Sequence, residues 1–241
     1  MIRLCGVDLV RYSTVPRDFD ELSRAVFGSV KQYTMTSPER VHALIEAVKY
    51  VVAKRIEGAL IECGVWRGGS AMAIALTLQE LGNTQRELYL YDTFSGMSSP
   101  SDVDVSLGGK RAQEVFSETK ISEETSNWSR CSLEEARDNV FGTGYPKEKV
   151  HFVKGKVEDT IPRTIPEKIA LLRLDTDWYE STKHELTHLF PRLSPYGVII
   201  IDDYGHWQGA RKAVDEYISE NDLHILLNRI DYTGRVGIKT P

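Results

Sequence analysis

Leu171-Leu172-Arg173-Leu174-Asp175-Thr176-Asp177-Trp178-Tyr179-Glu180 and its echo Val198-Ile199-Ile200-Ile201-Asp202-Asp203-Tyr204 decide the fold. Each is a short apolar run that ends abruptly in acidic residues, as a buried parallel strand does when its carboxyl end opens into a ligand crevice. Asp175, Asp177, Asp202 and Asp203 are thereby delivered to one edge of a sheet. Like charges a few ångströms apart raise one another's pKa and oppose the compact state. A bound cation resolves the conflict, and an all-oxygen donor set suits Mg²⁺ or Mn²⁺ better than zinc. The plainer alternative is that Asp203 caps the next helix and Asp175 merely ends a strand.

The 241 residues, 41% of them hydrophobic, suffice for one α/β domain with a substantial core. Net charge is −5 and the Lys and Arg residues form no basic run, which argues against nucleic-acid or anionic-membrane partners and for a small molecule. Cys5, Cys63 and Cys131 are odd in number and widely separated, and no apolar span reaches bilayer length. This usage fits a reducing cytoplasm, with Cys63 a buried thiol at a strand end.

Outward from the deciding stretch, the strands and helices alternate. Residues 1 to about 30 show no clear periodicity and are expected to form a peripheral arm. Ser37 and Pro38 start a helix whose Val41, Leu44, Ile45, Val48 and Val52 share one face. A strand from Gly58 to Cys63 runs into Gly64-Val65-Trp66-Arg67-Gly68-Gly69-Ser70 and a helix from Ala71 to Leu81. Glycines there admit close approach of a ligand, and the amides of the new helix favour an anionic group, although ordinary tight-turn geometry explains the loop equally well. The spacing is not G-x-G-x-x-G, so no pyrophosphate is implied.

The next strand, Glu87 to Asp92, places an acid where an adenosine ribose would be held, about 20 to 30 residues past the first turn. The competing reading makes Asp92 a turn residue ahead of Thr93-Phe94-Ser95-Gly96. Residues 95–130 are polar and too long for a plain connection, which suggests a lid, helical over Lys110 to Thr119, or disorder over residues 98–109. A helix from Ser132 to Phe141 and a strand from Val150 to Lys154 follow, and the tip Gly155 to Glu158 is placed to edge an adenine ring. After the strand Ile169 to Asp175 come a helix from Tyr179 to Leu193, the strand Val198 to Asp202 and a helix from Gln208 to Ser219. Strands His224 to Asn228 and Arg235 to Lys239 close a hairpin. The pattern predicts a doubly wound, mostly parallel seven-stranded sheet with an antiparallel edge.

Tyr33-Thr34-Met35, Glu62 to Ser70, Asp92 to Met97, Leu174 to Thr182 and Ile201 to Trp207, in that order, resemble the macrocin O-methyltransferase family. Its members methylate sugar hydroxyls of antibiotics such as tylosin, mycinamicin and novobiocin. The resemblance, from about Tyr33 to Lys239, implies a class I methyltransferase (Rossmann-like) fold, S-adenosylmethionine as methyl donor and a Mg²⁺ ion. By motif it makes Asp175, Asp202 and Asp203 the metal ligands and Asp177 the general base. It gives cofactor binding to Glu62, Cys63, Gly64, Val65, Gly68 and Ser70, to Asp92 and Thr93, and to Gly155, Val157 and Glu158, with Met35 and Thr36 closing over the cofactor. Pro195-Tyr196-Gly197 departs from the Pro-Gly-Gly of many relatives.

The chemistry agrees with the residues. An aliphatic hydroxyl is a poor nucleophile toward a sulfonium methyl until its proton is being removed, and a dication gripping two adjacent hydroxyls lowers their pKa and fixes their angle of attack. Asp177 is placed to take the proton, with His206 ranked second as base. The acceptor is then a sugar or other vicinal diol, and the arm and lid offer a face for a homodimer. The rival readings are a nucleotide-cofactor sugar-modifying enzyme on the same sheet and a non-enzymatic S-adenosylmethionine-binding accessory protein.

Overall fold

The structure, a computed structural model, describes residues 2–4, 7–9 and 15–241. Cys5 and most of the first 14 residues of the expected arm lie outside the described residues. The elements in order are β1 (Ile2–Leu4), β2 (Val7–Leu9), α1 (Glu21–Val30), α2 (Pro38–Ala53), β3 (Ala59–Cys63), α3 (Gly69–Glu80), β4 (Leu88–Asp92), α4 (Ala112–Thr119) and α5 (Leu133–Phe141). They continue with β5 (Val150–Lys154), α6 (Val157–Thr160), β6 (Ile169–Leu174), α7 (Tyr179–Leu189), β7 (Leu193–Ile201), α8 (Gln208–Glu220), β8 (Asn228–Arg229) and β9 (Arg235–Ile238).

β1 and β2 pair with each other, and the remaining strands form a seven-stranded sheet in the order β5-β4-β3-β6-β7-β9-β8. Its first five strands are parallel, and β9 runs antiparallel to both β7 and β8. The expected doubly wound sheet with an antiparallel hairpin edge is therefore present. From β3 the chain winds outward through β4 to β5, then returns to β6 on the other side, so the crossovers diverge between β3 and β6. Such a switch point leaves a crevice outside the carboxyl ends of the strands.

Strand residues alternate between two cores. Leu60, Leu171, Val198 and Ile200 pack beneath α1, α2 and α3. Ile61, Leu172, Leu174, Ile199 and Ile201 pack against α7 and α8 through Leu186, Leu189, Val214 and Tyr217. Burial on both faces explains why the strands read as unbroken apolar runs. Register aligns Glu62 with Arg173, and Arg173 with Ile200, which sets a carboxylate beside a guanidinium on one face.

Four local expectations are corrected. Residues 21–30 form α1, capped by Asp20, and its Val26, Phe27 and Val30 lie in the core. The inward residues Ser23, Val26, Phe27 and Val30 do recur at helical spacing, but a polar Ser interrupts the apolar stripe. α7 stops at Leu189, a tight turn spans Phe190–Arg192, and β7 begins already at Leu193, which pairs with Ile169. Pro191, lacking an N–H, stands in that turn. Tyr196, within β7, has φ 65°. Finally, β8 is confined to Asn228–Arg229. Residues 224–227 keep the alternation of a strand, with Ile225 and Leu227 packed on the core, but their backbone does not join the ladder.

Residues 95–130 are fastened to the body of the protein on the approach to α4. Buried Asp104 accepts hydrogen bonds from Ser101 N, from Ser101 Oγ and, at 2.8 Å, from Tyr179 N at the start of α7. Ser106 bridges to Trp207, while the Lys120–Ser126 bridge closes a turn within the segment itself.

Candidate active site

A cleft of about 310 Å³ opens where the carboxyl ends of β3, β4, β6 and β7 converge. At its acidic end Asp175, Asp202 and Asp203 each present a carboxylate oxygen, all within 4.8 Å of one another. Two arginines hold this group. Arg173, buried near the carboxyl end of β6, donates from Nη1 to Glu62 Oε1 at 2.7 Å and to Asp175 Oδ2 at 2.8 Å. Its Nη2 reaches Asp202 Oδ1 at 2.7 Å and Thr36 Oγ1 at 3.2 Å. Arg40, one turn into α2, pairs with the other oxygen of Asp202 and, at 3.0 Å, with Asp231 of the terminal hairpin. Ser37, the α2 cap, also donates to Asp231.

The electrostatics are those of a site short of positive charge. Burial, then repulsion by Asp177 and Asp202, holds the Asp203 carboxyl well above the usual range. No hydrogen-bond donor among the described residues reaches its buried Oδ2. Asp175, the most open of the three at 27% side-chain exposure, is also pushed well up by desolvation, against the pull of Arg173. Burial raises Glu62 to about 7 despite Arg173. Three converging carboxylates, oxygen donors only, and a buried lone pair without a partner fit a hard divalent cation.

Asp177 faces this cluster from the loop after β6. Its φ is 66°, an unusual conformation for a residue with a side chain. Trp207 Nε1 donates to its Oδ1 at 2.8 Å. Burial and then Asp175 push its carboxyl up to about 7. His206 lies on the same wall, its Nδ1 3.3 Å from the Tyr232 hydroxyl, and burial, then Arg40, lowers its pKa. Trp128, Trp178 and Trp207 meet edge to face at 5.1 to 6.0 Å between ring centroids. Trp128 and Trp207 line the cleft with Met97 and Tyr232.

The opposite end is built on the turn after β3. Gly64 has φ 85°, and a Cβ there would stand 1.9 Å from the Asp175 carbonyl oxygen, so only glycine lets β3 and β6 end side by side. Tyr33 to Thr36 lie across the start of α3, where Gly69 N donates to Tyr33 O at 3.1 Å. Asp92 Oδ2 accepts from Val65 N and Trp66 N at 2.7 and 2.9 Å, and its Oδ1 from Phe94 N at 2.7 Å. The carboxylate thus ties two turns together, the turn role weighed against ribose binding in the sequence, while still lining the cleft.

Met35, Thr36, Glu62, Gly64, Val65, Ser70, Asp92, Thr93, Gly155, Val157 and Glu158 all line this cleft, as do Asp175, Asp177, Asp202, Asp203 and His206. Cys63 and Gly68 do not. The side chain of Cys63 alternates to the opposite face of β3, into the core beside Glu185. Gly68, at φ 87°, starts α3, and a Cβ there would meet Val140 at 2.8 Å. The sequence reading missed Arg173, Arg40 and the tryptophan wall. A cation inside Leu171-Leu172-Arg173-Leu174 was a legible signal, since a buried guanidinium requires acidic partners. Arg40 carried none, because its partners lie far away in sequence.

The macrocin-O-methyltransferase (TylF) family model matches residues 13–236. The 8-demethyl-8-(2,3-dimethoxy-alpha-L-rhamnosyl)-tetracenomycin-C 4'-O-methyltransferase of Streptomyces olivaceus is 35% identical over 84% of this chain and 74% of its own. The demethyldecarbamoylnovobiocin O-methyltransferase of Streptomyces niveus is 31% identical over the same shares. Among solved structures, the O-methyltransferase NovP superposes with a TM-score of 0.75 at 30% identity, covering 87% of this chain and 83% of that one. Fold and cleft define an S-adenosylmethionine-dependent O-methyltransferase with an α/β methyltransferase sheet. The chain belongs to the macrocin-O-methyltransferase family.

Proposed function

We propose that the protein methylates a hydroxyl of a sugar or other vicinal-diol small molecule of natural-product type, with Mg²⁺ or Mn²⁺ held by Asp175, Asp202 and Asp203. The observation that carries this reading is the convergence of these three carboxylates within 4.8 Å, with Asp177 beside them in one cleft. Two of the relatives are named for methylation of a rhamnosyl-tetracenomycin and of a novobiocin precursor, which supports the acceptor class. When bound, a hard dication supplies the charge that lowers the pKa of the acceptor's hydroxyl.

The chain's own residues do the rest. Trp207 fixes one oxygen of Asp177, leaving the carboxylate able to take the hydroxyl proton as the methyl group is transferred. A base with a pKa near the working pH is efficient in that role, and in the metal-free site burial, then Asp175, raises the Asp177 carboxyl toward that range. His206, kept neutral by its surroundings, ranks second as base and orients the Tyr232 side of the wall. Glu62, Asp92 and the turn from Gly155 to Glu158 hold the cofactor, with Met35 and Thr36 over it. Residues 95–130 act as the lid that excludes water.

Removal of divalent metal by chelation should abolish turnover of a glycosylated acceptor while S-adenosylhomocysteine still binds by calorimetry. Asp177→Asn should lower kcat by about 10²–10⁴-fold with cofactor binding retained. Turnover at full rate in chelator would refute the carboxylate assignment.

A further inference from the structure

One buried guanidinium touches both halves of the cleft. Arg173 contacts Asp175 and Asp202 of the acidic cluster, and Glu62 and Thr36 on the cofactor side, through the two terminal nitrogens of a planar group. Its side chain is only 2% exposed, so water does not screen these contacts. Thr36 belongs to the segment laid over the start of α3, and Glu62 is the last residue but one of β3, two positions before Gly64. Because the guanidinium fork is rigid, fixing its partners on one side fixes the direction in which it offers hydrogen bonds on the other. Without added positive charge, Asp175 and Asp202 repel each other and their neighbours, so a cation that relieves this repulsion settles the carboxylates that the fork already meets at 2.7 to 2.8 Å.

We infer that Arg173 is a positioning residue that couples the two subsites: a divalent cation on the acidic cluster and the cofactor beside Glu62 and Thr36 strengthen each other's binding through this one side chain. The inference rests on the metal and cofactor reading proposed above. Coupling between sites is reciprocal, so each ligand tightens the other by the same factor.

The test is calorimetric titration of S-adenosylhomocysteine into chelator-treated protein with and without Mg²⁺, paired with Mn²⁺ titration by electron paramagnetic resonance with and without S-adenosylhomocysteine. Both should give one coupling factor of about fivefold or more. Thr36→Val removes the Nη2 acceptor on the cofactor side, leaving Asp202, while nearly preserving shape, and Arg173→Lys replaces the fork by a single ammonium. In either variant the factor should fall to about twofold or less, even where the separate affinities change. A purely structural Arg173 would alter affinities and leave the factor intact. Should both ligands bind the wild type with a factor near one, or should Thr36→Val retain the full factor, the coupling is overturned and the functional reading stands. Failure of the wild type to bind Mn²⁺ at all overturns both.

Discussion

Asp177 sits at φ 66° with one oxygen held by Trp207 and the other side of its carboxyl turned to Asp203. Backbone strain at a candidate base is tolerable only where the surroundings over-determine it, and the indole N–H is the visible restraint. Trp207→Phe keeps the aromatic wall but deletes that donor. Loss of a hydrogen bond to a charged group is worth about 1.5–3 kcal/mol, so kcat should fall by roughly ten- to a hundredfold while KM for the acceptor changes little. Steady-state kinetics that showed the reverse, an intact kcat and a raised KM, would assign Trp207 to acceptor binding instead. Arg173 shows the same dependence on surroundings: within its strand it is an anomaly, and its meaning lies in Glu62 on the neighbouring strand.

At the scale of elements, α7 does more than cover the sheet. Its Glu185, fully buried, accepts from Thr176 Oγ1 at 3.1 Å and so anchors from below the loop that carries Asp175 and Asp177. Burial holds this carboxyl well above its ordinary value of 4.5. A carboxyl raised in the folded state contributes stability that is complete below its unfolded pKa and is lost as pH rises toward its folded pKa. Glu185→Gln, a permanent analogue of the neutral acid, should therefore melt near the wild type below about pH 4.5 and increasingly above it as pH rises. A melting-temperature difference that stays flat across this range would show that Glu185 is ionised in the fold. The proposed lid is anchored on the same helix, since Asp104 accepts from Tyr179 N in the first turn of α7. α1 is the counterexample, a helix whose periodic face was present in the sequence but broken by Ser23.

For the molecule as a whole, the decisive feature is that distant segments meet around one patch of negative charge. The start of α2 and the terminal hairpin are clasped through Ser37, Arg40 and Asp231, and the same Arg40 offsets Asp202. Arg40→Leu leaves Asp231 without its cation and Asp202 with Arg173 alone, which should destabilise chelator-treated protein by about 2–3 kcal/mol, discounted for partial exposure. On the proposed reading, Mg²⁺ should raise the variant's melting temperature more than the wild type's, because a ligand that binds only the folded state stabilises it. Equal shifts in a thermal-denaturation series would disconnect Arg40 from the acidic cluster.

The apolar runs ending in acids determined the parallel strands, their order of appearance and the side of the sheet on which the carboxylates emerge, because burial on both faces and strand polarity are written locally. The same runs placed Asp175, Asp177, Asp202 and Asp203 together at one sheet edge. Only the tertiary structure decided which buried acids share Arg173, that Arg40 arrives from another helix, that Cys63 turns into the core, and that Asp92 is occupied by backbone amides. Those outcomes depend on which face a side chain takes and on partners tens of residues away. Local periodicity does not encode such pairings, because they exist only once the chain has closed on itself.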